Sequence, residues 1–116
     1  MKEYRGENID ELLRSREMVL FYLSRPDCGV CDALRPRVAA LMEEYPKVDT
    51  RYIDLSAYPE IAGRYSVFTI PGVILFVRGR ETVRYARYLS VDQIEESVQR
   101  YYQLLDLDTE VDADAG

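Results

Sequence analysis

Residues 18–23 (Met18-Val19-Leu20-Phe21-Tyr22-Leu23) form an unbroken apolar run of strand length, the pattern of a β-strand covered on both faces. Upstream, Ile9, Leu12 and Leu13 share one face of a short helix, and Asn8 with Glu11 three residues later supplies its N-terminal signature. Downstream, Leu34, Val38, Leu41 and Tyr45 recur at helical spacing and predict a helix over 28–45, kinked at Pro36 and closed by Pro46. Residues 48–54 read as a second strand, and 59–65 as a short helix with proline in its first turn. Residues 73–77 are a third apolar strand, and Arg78-Gly79-Arg80 turns the chain into 82–88, where partial alternation predicts an antiparallel strand with one wet face. Ser90-Val91-Asp92-Gln93 opens the last helix, striped by Val91, Ile94, Val98 and Leu105. Helix, strand, helix, strand, helix, strand, strand, helix is the order of an α/β sandwich with a central mixed sheet.

Length and charge change this picture in two places. At 116 residues the chain is long enough for one core and not for two. Five of the 21 acids fall in residues 106–116, which hold no base, so 1–105 carry sixteen acids against fifteen bases and a net charge of −1. The expected organisation is a nearly neutral domain over 1–105, followed by an acidic tail over 106–116 whose composition is that of a disordered, solvating end. Thirteen of the fifteen bases are arginine, but acids are interspersed among them and no basic face stands out, which argues against nucleic acid as a partner. There is no apolar run of eighteen residues and no charged-then-apolar leader, so the expectation is no membrane span and a cytoplasmic protein.

The chain's two cysteines, Cys28 and Cys31, stand three apart where the first apolar strand hands over to a helix. In a cytosolic setting an isolated Cys-x-x-Cys points to thiol chemistry more than to a structural bridge. Positions three apart in a first helical turn share a face, so the two sulfurs can meet as a disulfide with little backbone movement. The free N–H groups and the positive dipole end at a helix start favour a thiolate at Cys28, making it the nucleophile and Cys31 its resolving partner. Buried, inert cysteines are the structural alternative. A closed zinc site would need further ligands, since the chain has no histidine and no third cysteine, and no metal is expected.

Cys28-Gly29-Val30-Cys31, Pro36 five residues after the second cysteine, and Ile70-Pro71 just before an apolar strand together resemble the thioredoxin family over roughly residues 8–105. The resemblance implies a thioredoxin fold and a thiol–disulfide oxidoreductase with no cofactor beyond its own redox-active disulfide. It implies a cis bond at Pro71 beside the disulfide and a substrate platform formed by Ile70 and Pro71, with Gly29 and Val30 between the cysteines. The partners it implies are proteins bearing disulfides, with a thioredoxin reductase or a low-molecular-weight thiol as electron donor.

The departures from that family are equally specific. Ser24-Arg25-Pro26-Asp27 replaces the aromatic approach to the first cysteine, and the chain has no tryptophan. Asp27 beside the nucleophile either opposes thiolate formation by charge repulsion or caps the helix. Tyr22 occupies the place of a buried acid that helps deprotonate the resolving thiol, and its simplest role is core packing with a hydroxyl in search of a partner. Arg87 falls where the family places a glycine lining the substrate groove; it reads as a substrate contact, a partner for Asp27, or a solvated charge. Val30 replaces the proline common between the cysteines, a position that tunes redox poise. These changes keep a second reading open: a non-enzymatic binding module using the Ile70-Pro71 groove, with its cysteines as a redox switch.

Overall fold

The computed structural model describes residues 1–108 and consists of β1 (Lys2–Glu3), α1 (Ile9–Ser15), β2 (Met18–Ser24), α2 (Gly29–Met42), β3 (Val48–Asp54), α3 (Pro59–Arg64), β4 (Gly72–Val77), β5 (Arg80–Ala86) and α4 (Val91–Leu104). The strands form one sheet in the order β1-β3-β2-β4-β5. β2 lies parallel to β3 and antiparallel to β4, and β5 returns antiparallel to β4, so the sheet is mixed. Every residue of β2 is buried, which is why its sequence is apolar without alternation.

Alternate side chains of β2 serve opposite faces of the sheet. Met18, Leu20 and Tyr22 join Leu34, Val38 and Leu41 of α2 and Ile94 and Val98 of α4 in one core. Val19, Phe21 and Leu23 join Leu12 and Leu13 of α1 and Ile61 of α3 in the other. Each fully buried side chain of this size contributes about 1.5–3 kcal/mol by leaving water, so the central strand fixes both layers at once. The polar caps hold where the pattern placed them: the Asn8 side chain accepts the Glu11 N–H at 3.0 Å, and the Ser90 hydroxyl accepts the Gln93 N–H at 3.4 Å.

Four details differ from the sequence expectation. β1 is a two-residue, fully exposed edge strand pairing Lys2 with Arg51 and Glu3 with Tyr52, too short and polar to leave a periodic signal. α2 ends at Met42 rather than 45, because the Glu44 and Tyr45 N–H groups tighten onto the carbonyls of Leu41 and Met42 before Pro46. β5 runs over Arg80–Ala86, so Arg87 and Tyr88 leave the sheet. Residues 106–108, assigned to the tail on charge, are tied to the body. Leu107 packs against the α2/α4 core, its N–H donates to Tyr102 at 2.9 Å, and Lys47 donates to its carbonyl at 3.0 Å. The rest of the expected tail, 109–116, lies outside the described residues.

Among the described residues no helix is long and apolar enough to cross a membrane, and no group of three or more His, Cys, Asp or Glu side chains stands where it could hold a metal ion.

Candidate active site

The end of β2 and the start of α2 place the two cysteines. Cys28 is the N-cap of α2: its backbone is extended, its carbonyl accepts the Asp32 N–H at 3.0 Å, and its sulfur accepts the Cys31 N–H at 3.2 Å. Cys28 and Cys31 are joined as a disulfide with Cα atoms 5.2 Å apart. Their surroundings are unequal, since Cys28 is half-buried whereas Cys31 is 1% exposed. Gly29 and Val30 between them face solvent, and a Cβ on Gly29 would meet nothing within 4 Å. Asp27 is exposed with a left-handed φ of 65° and does not cap the helix, because Cys28 occupies that position.

Tyr22 lies beneath this turn, fully buried, and its hydroxyl donates to the Cys31 carbonyl at 2.6 Å. Burial, reinforced by the neighbouring Tyr52, pushes its pKa up to about 12. At neutral pH Tyr22 is therefore a protonated donor, and a hydroxyl in that state accepts no proton from a thiol. Tyr52 of β3 stacks on it with ring centroids 5.9 Å apart, and the Arg35 guanidinium of α2 lies 3.5 Å from the Tyr52 ring centre. Pro36 removes the N–H that would bond the Asp32 carbonyl, one turn past the disulfide.

Across the cysteines, Ile70 and Pro71 precede β4, and the bond between them is cis. Pro71 is buried and Ile70 half-buried. The Arg87 N–H donates to the Pro71 carbonyl at 3.0 Å, which ties the end of β5 to the turn before β4. Arg87 makes this contact with a left-handed φ of 65°, a conformation that suits glycine better than any residue with a Cβ. Among the described residues no ion pair joins Arg87 to Asp27; the Arg87 guanidinium instead sits 5.9 Å from the Tyr88 ring centre.

Val30, Leu34 and Arg37 of α2 face Pro71, Arg87 and Leu89 across a cleft of about 470 Å³. Tyr88, 86% exposed, stands on its rim. Sequence reasoning missed Arg37, Tyr88 and Leu89. The spacing of Val30, Leu34 and Arg37 puts all three on one helical face, a signal that could have found Arg37. Tyr88 and Leu89 follow β5 in an irregular segment and left none. A larger cleft of about 810 Å³, between Leu13, Phe76 and Arg78, contains neither cysteine, and its Arg64 and Arg78 pair with Asp10 and Glu17.

The family model for thioredoxin matches residues 1–100 of the chain. The thioredoxin-like protein YdfQ of Bacillus subtilis is 34% identical over 108 residues, spanning 90% of this chain and 96% of that protein. The thioredoxin of Chlamydia trachomatis is 34% identical over 74 residues, 64% of this chain and 72% of that protein. Among solved structures, a mutant thioredoxin from Halobacterium salinarum superposes with a TM-score of 0.76 at 22% identity, covering 86% of this chain and 88% of that one, which shows the shared fold. The chain belongs to the thioredoxin family, and its mixed five-stranded sheet with four helices is the thioredoxin fold. Family and Cys-x-x-Cys pair together support thiol–disulfide exchange as its chemistry.

Proposed function

We propose that this thioredoxin-family chain is a cytoplasmic oxidoreductase that passes two electrons from its Cys28/Cys31 dithiol to disulfides of protein substrates. The observation that carries the reading is the pair of unequally buried cysteines at one helix start. The half-buried Cys28 is the sulfur a substrate can reach. The Cys31 N–H that its sulfur accepts at 3.2 Å is a first-turn donor able to hold a thiolate.

In the reaction the Cys28 thiolate attacks one sulfur of the substrate disulfide; that bond breaks, a mixed disulfide forms, and the departing substrate thiolate takes a proton. Cys31, having lost its proton, then attacks the Cys28 sulfur and releases the second substrate thiolate. The protein is left oxidised as Cys28–Cys31, and the substrate has gained two electrons and two protons. A thioredoxin reductase or a small dithiol donor restores the reduced pair, and no cofactor beyond the cysteines is called for. Ile70 and Pro71 present the platform for the substrate segment, with Gly29, Val30 and Arg87 around it. Asp27, beside Cys28, and Tyr22, beneath Cys31, modulate the thiols from their two positions.

A binding module that uses the disulfide as a slow switch draws on one observation: the group beneath Cys31 is a hydroxyl that keeps its proton, not a carboxylate base. Trapping separates the two readings. With the Cys31→Ser variant, attack by Cys28 leaves a mixed disulfide with no neighbouring thiol to release it, so substrates accumulate covalently on the protein in extracts of oxidatively stressed cells. Cys28→Ser should trap far less. Equal capture by the two variants, together with no insulin-disulfide reduction by the wild type, would replace the oxidoreductase with the binding module.

A further inference from the structure

We propose that Arg37 and Arg87 make the cleft beside the disulfide select substrates carrying an acidic residue next to the attacked cysteine. This rests on the oxidoreductase reading and specifies its substrate class. The cleft is apolar along Val30, Leu34, Pro71 and Leu89, and each of its two sides carries one arginine, Arg37 from α2 and Arg87 from the connection after β5.

Six of the chain's thirteen arginines are neutralised in place, and of the others only Arg37 and Arg87 line this cleft. Arg5, Arg16, Arg51, Arg64, Arg78 and Arg84 each pair with a carboxylate. Arg37 and Arg87 have no such partner among the described residues, and both are exposed. Asp27 and Asp32, the acids closest to the cysteines in the chain, do not line the cleft. Two uncompensated guanidinium groups therefore share one apolar cleft with Val30, the residue before the resolving cysteine.

Arg87 is also anchored. Its N–H is bonded to the Pro71 carbonyl, so its Cα is fixed at the platform that receives the substrate, despite a backbone conformation that disfavours side chains. A planar guanidinium fixed at one end matches a carboxylate in bidentate fashion. An extended peptide laid over Pro71 with its cysteine at Cys28 brings its neighbouring side chain to this cleft. There an acid is attracted and a lysine repelled.

The test uses three fluorogenic peptides with one internal disulfide each, differing only in glutamate, glutamine or lysine beside the attacked cysteine, reduced by the full chain with a dithiol donor. The expected order of kcat/KM is Glu, Gln, Lys, with Glu over Lys by roughly tenfold at low ionic strength and the ratio shrinking as salt screens the charges. The double variant Arg37→Gln/Arg87→Gln should bring the Glu-to-Lys ratio to about one, and Arg37→Lys/Arg87→Lys should keep part of it. Equal rates for the three peptides, or a ratio that survives in the Gln/Gln variant, would overturn the proposal while leaving the oxidoreductase intact. No turnover on any peptide would fail the oxidoreductase reading and this one with it. The chain's own acidic segment is the competing occupant. If Glu110→Gln/Asp112→Asn/Asp114→Asn in the full chain speeds all three peptides alike with no charge order, that segment fills the cleft and the substrate proposal falls.

Discussion

Replacing Tyr22 by phenylalanine removes one oxygen from beneath the disulfide and leaves the ring stack in place. The hydroxyl donates to the Cys31 carbonyl at 2.6 Å from a fully buried position. A net interior hydrogen bond is worth about 1 kcal/mol and an under-satisfied buried carbonyl adds to the loss, so Tyr22→Phe should cost about 1–2 kcal/mol at neutral pH. The gap depends on pH in a direction fixed by the raised pKa. In the unfolded chain the phenol ionises near 10, and in the folded one near 12. Below about pH 10 both states keep the proton and the gap is constant. From 10 to 12 the unfolded chain releases a proton that the folded one retains, so wild-type stability falls as pH rises, by about 2–3 kcal/mol over the interval. The phenylalanine variant lacks this loss. Burial also raises the pKa of Tyr4, Tyr45 and Tyr65, but these are present in both proteins and drop out of the difference. Urea unfolding of the oxidised proteins, followed by circular dichroism at about pH 7, 9, 10.5 and 11, should show a wild-type advantage that is flat to about pH 9, narrows beyond 10 and has largely closed by about pH 11. An advantage that stayed constant to pH 11 would mean that Tyr22 ionises alike folded and unfolded, and no advantage at neutral pH would mean that its bond to Cys31 stabilises nothing.

Two further outcomes test the body of the domain. Burial alone would raise the pKa of Asp49, but Arg51 at 2.6 Å and Arg16 at 3.2 Å more than offset this and hold it below its ordinary value of 3.8. The stability from its ionisation is thus present above that value and is lost as pH falls below it. Asp49→Asn should cost about 2–3 kcal/mol at neutral pH by leaving buried Arg51 with Glu7 alone, and urea titrations should find the gap closing in the acid range; a gap independent of pH would refute the coupling. Leu107→Ala should lower stability by about 1 kcal/mol through lost packing on the α2/α4 core, whereas neutralising Glu110, Asp112 and Asp114 should change it by less than about 0.5 kcal/mol; thermal melts that reversed this order would move the end of the domain back to Leu105.

The layers were legible in the sequence because burial on two faces leaves an unmistakable trace. The 18–23 run and the helical stripes of α2 and α4 predict the sheet centre and the two helices that cover one side of it. β1 was not legible, since an edge pair of exposed residues carries no periodicity and exists only because β3 offers it a partner. The docking of Leu107 on the body was not legible because charge dominates the composition of 106–108, while the contact rests on a single leucine held by Lys47 and the Tyr102 carbonyl. At the site, the cysteine spacing and Pro71 announce the chemistry. The cleft wall does not, because Tyr88 and Leu89 lie in irregular chain where only the fold determines what faces what.

The departures from the family pattern then form a connected set. Tyr22 stands where the family resemblance implies a buried acid, and a tyrosine there requires something to stack against and something to accept its hydrogen bond. Tyr52 supplies the first and the Cys31 carbonyl the second, and Arg35 closes the stack from α2 with a cation over the ring. A carboxylate at the same depth would carry a charge that an aromatic neighbour cannot solvate, so restoring the acid alone would leave it buried against the Tyr52 ring. The exchange of acid for hydroxyl thus trades a proton acceptor under the resolving thiol for a fixed donor to its backbone. Cys31 is held in place from below, and the hydroxyl that holds it takes no proton from its thiol. On the proposed oxidoreductase reading, the charges that favour reaction lie on the outer side of the disulfide, at the helix start and the arginine-flanked cleft, rather than in the core beneath it.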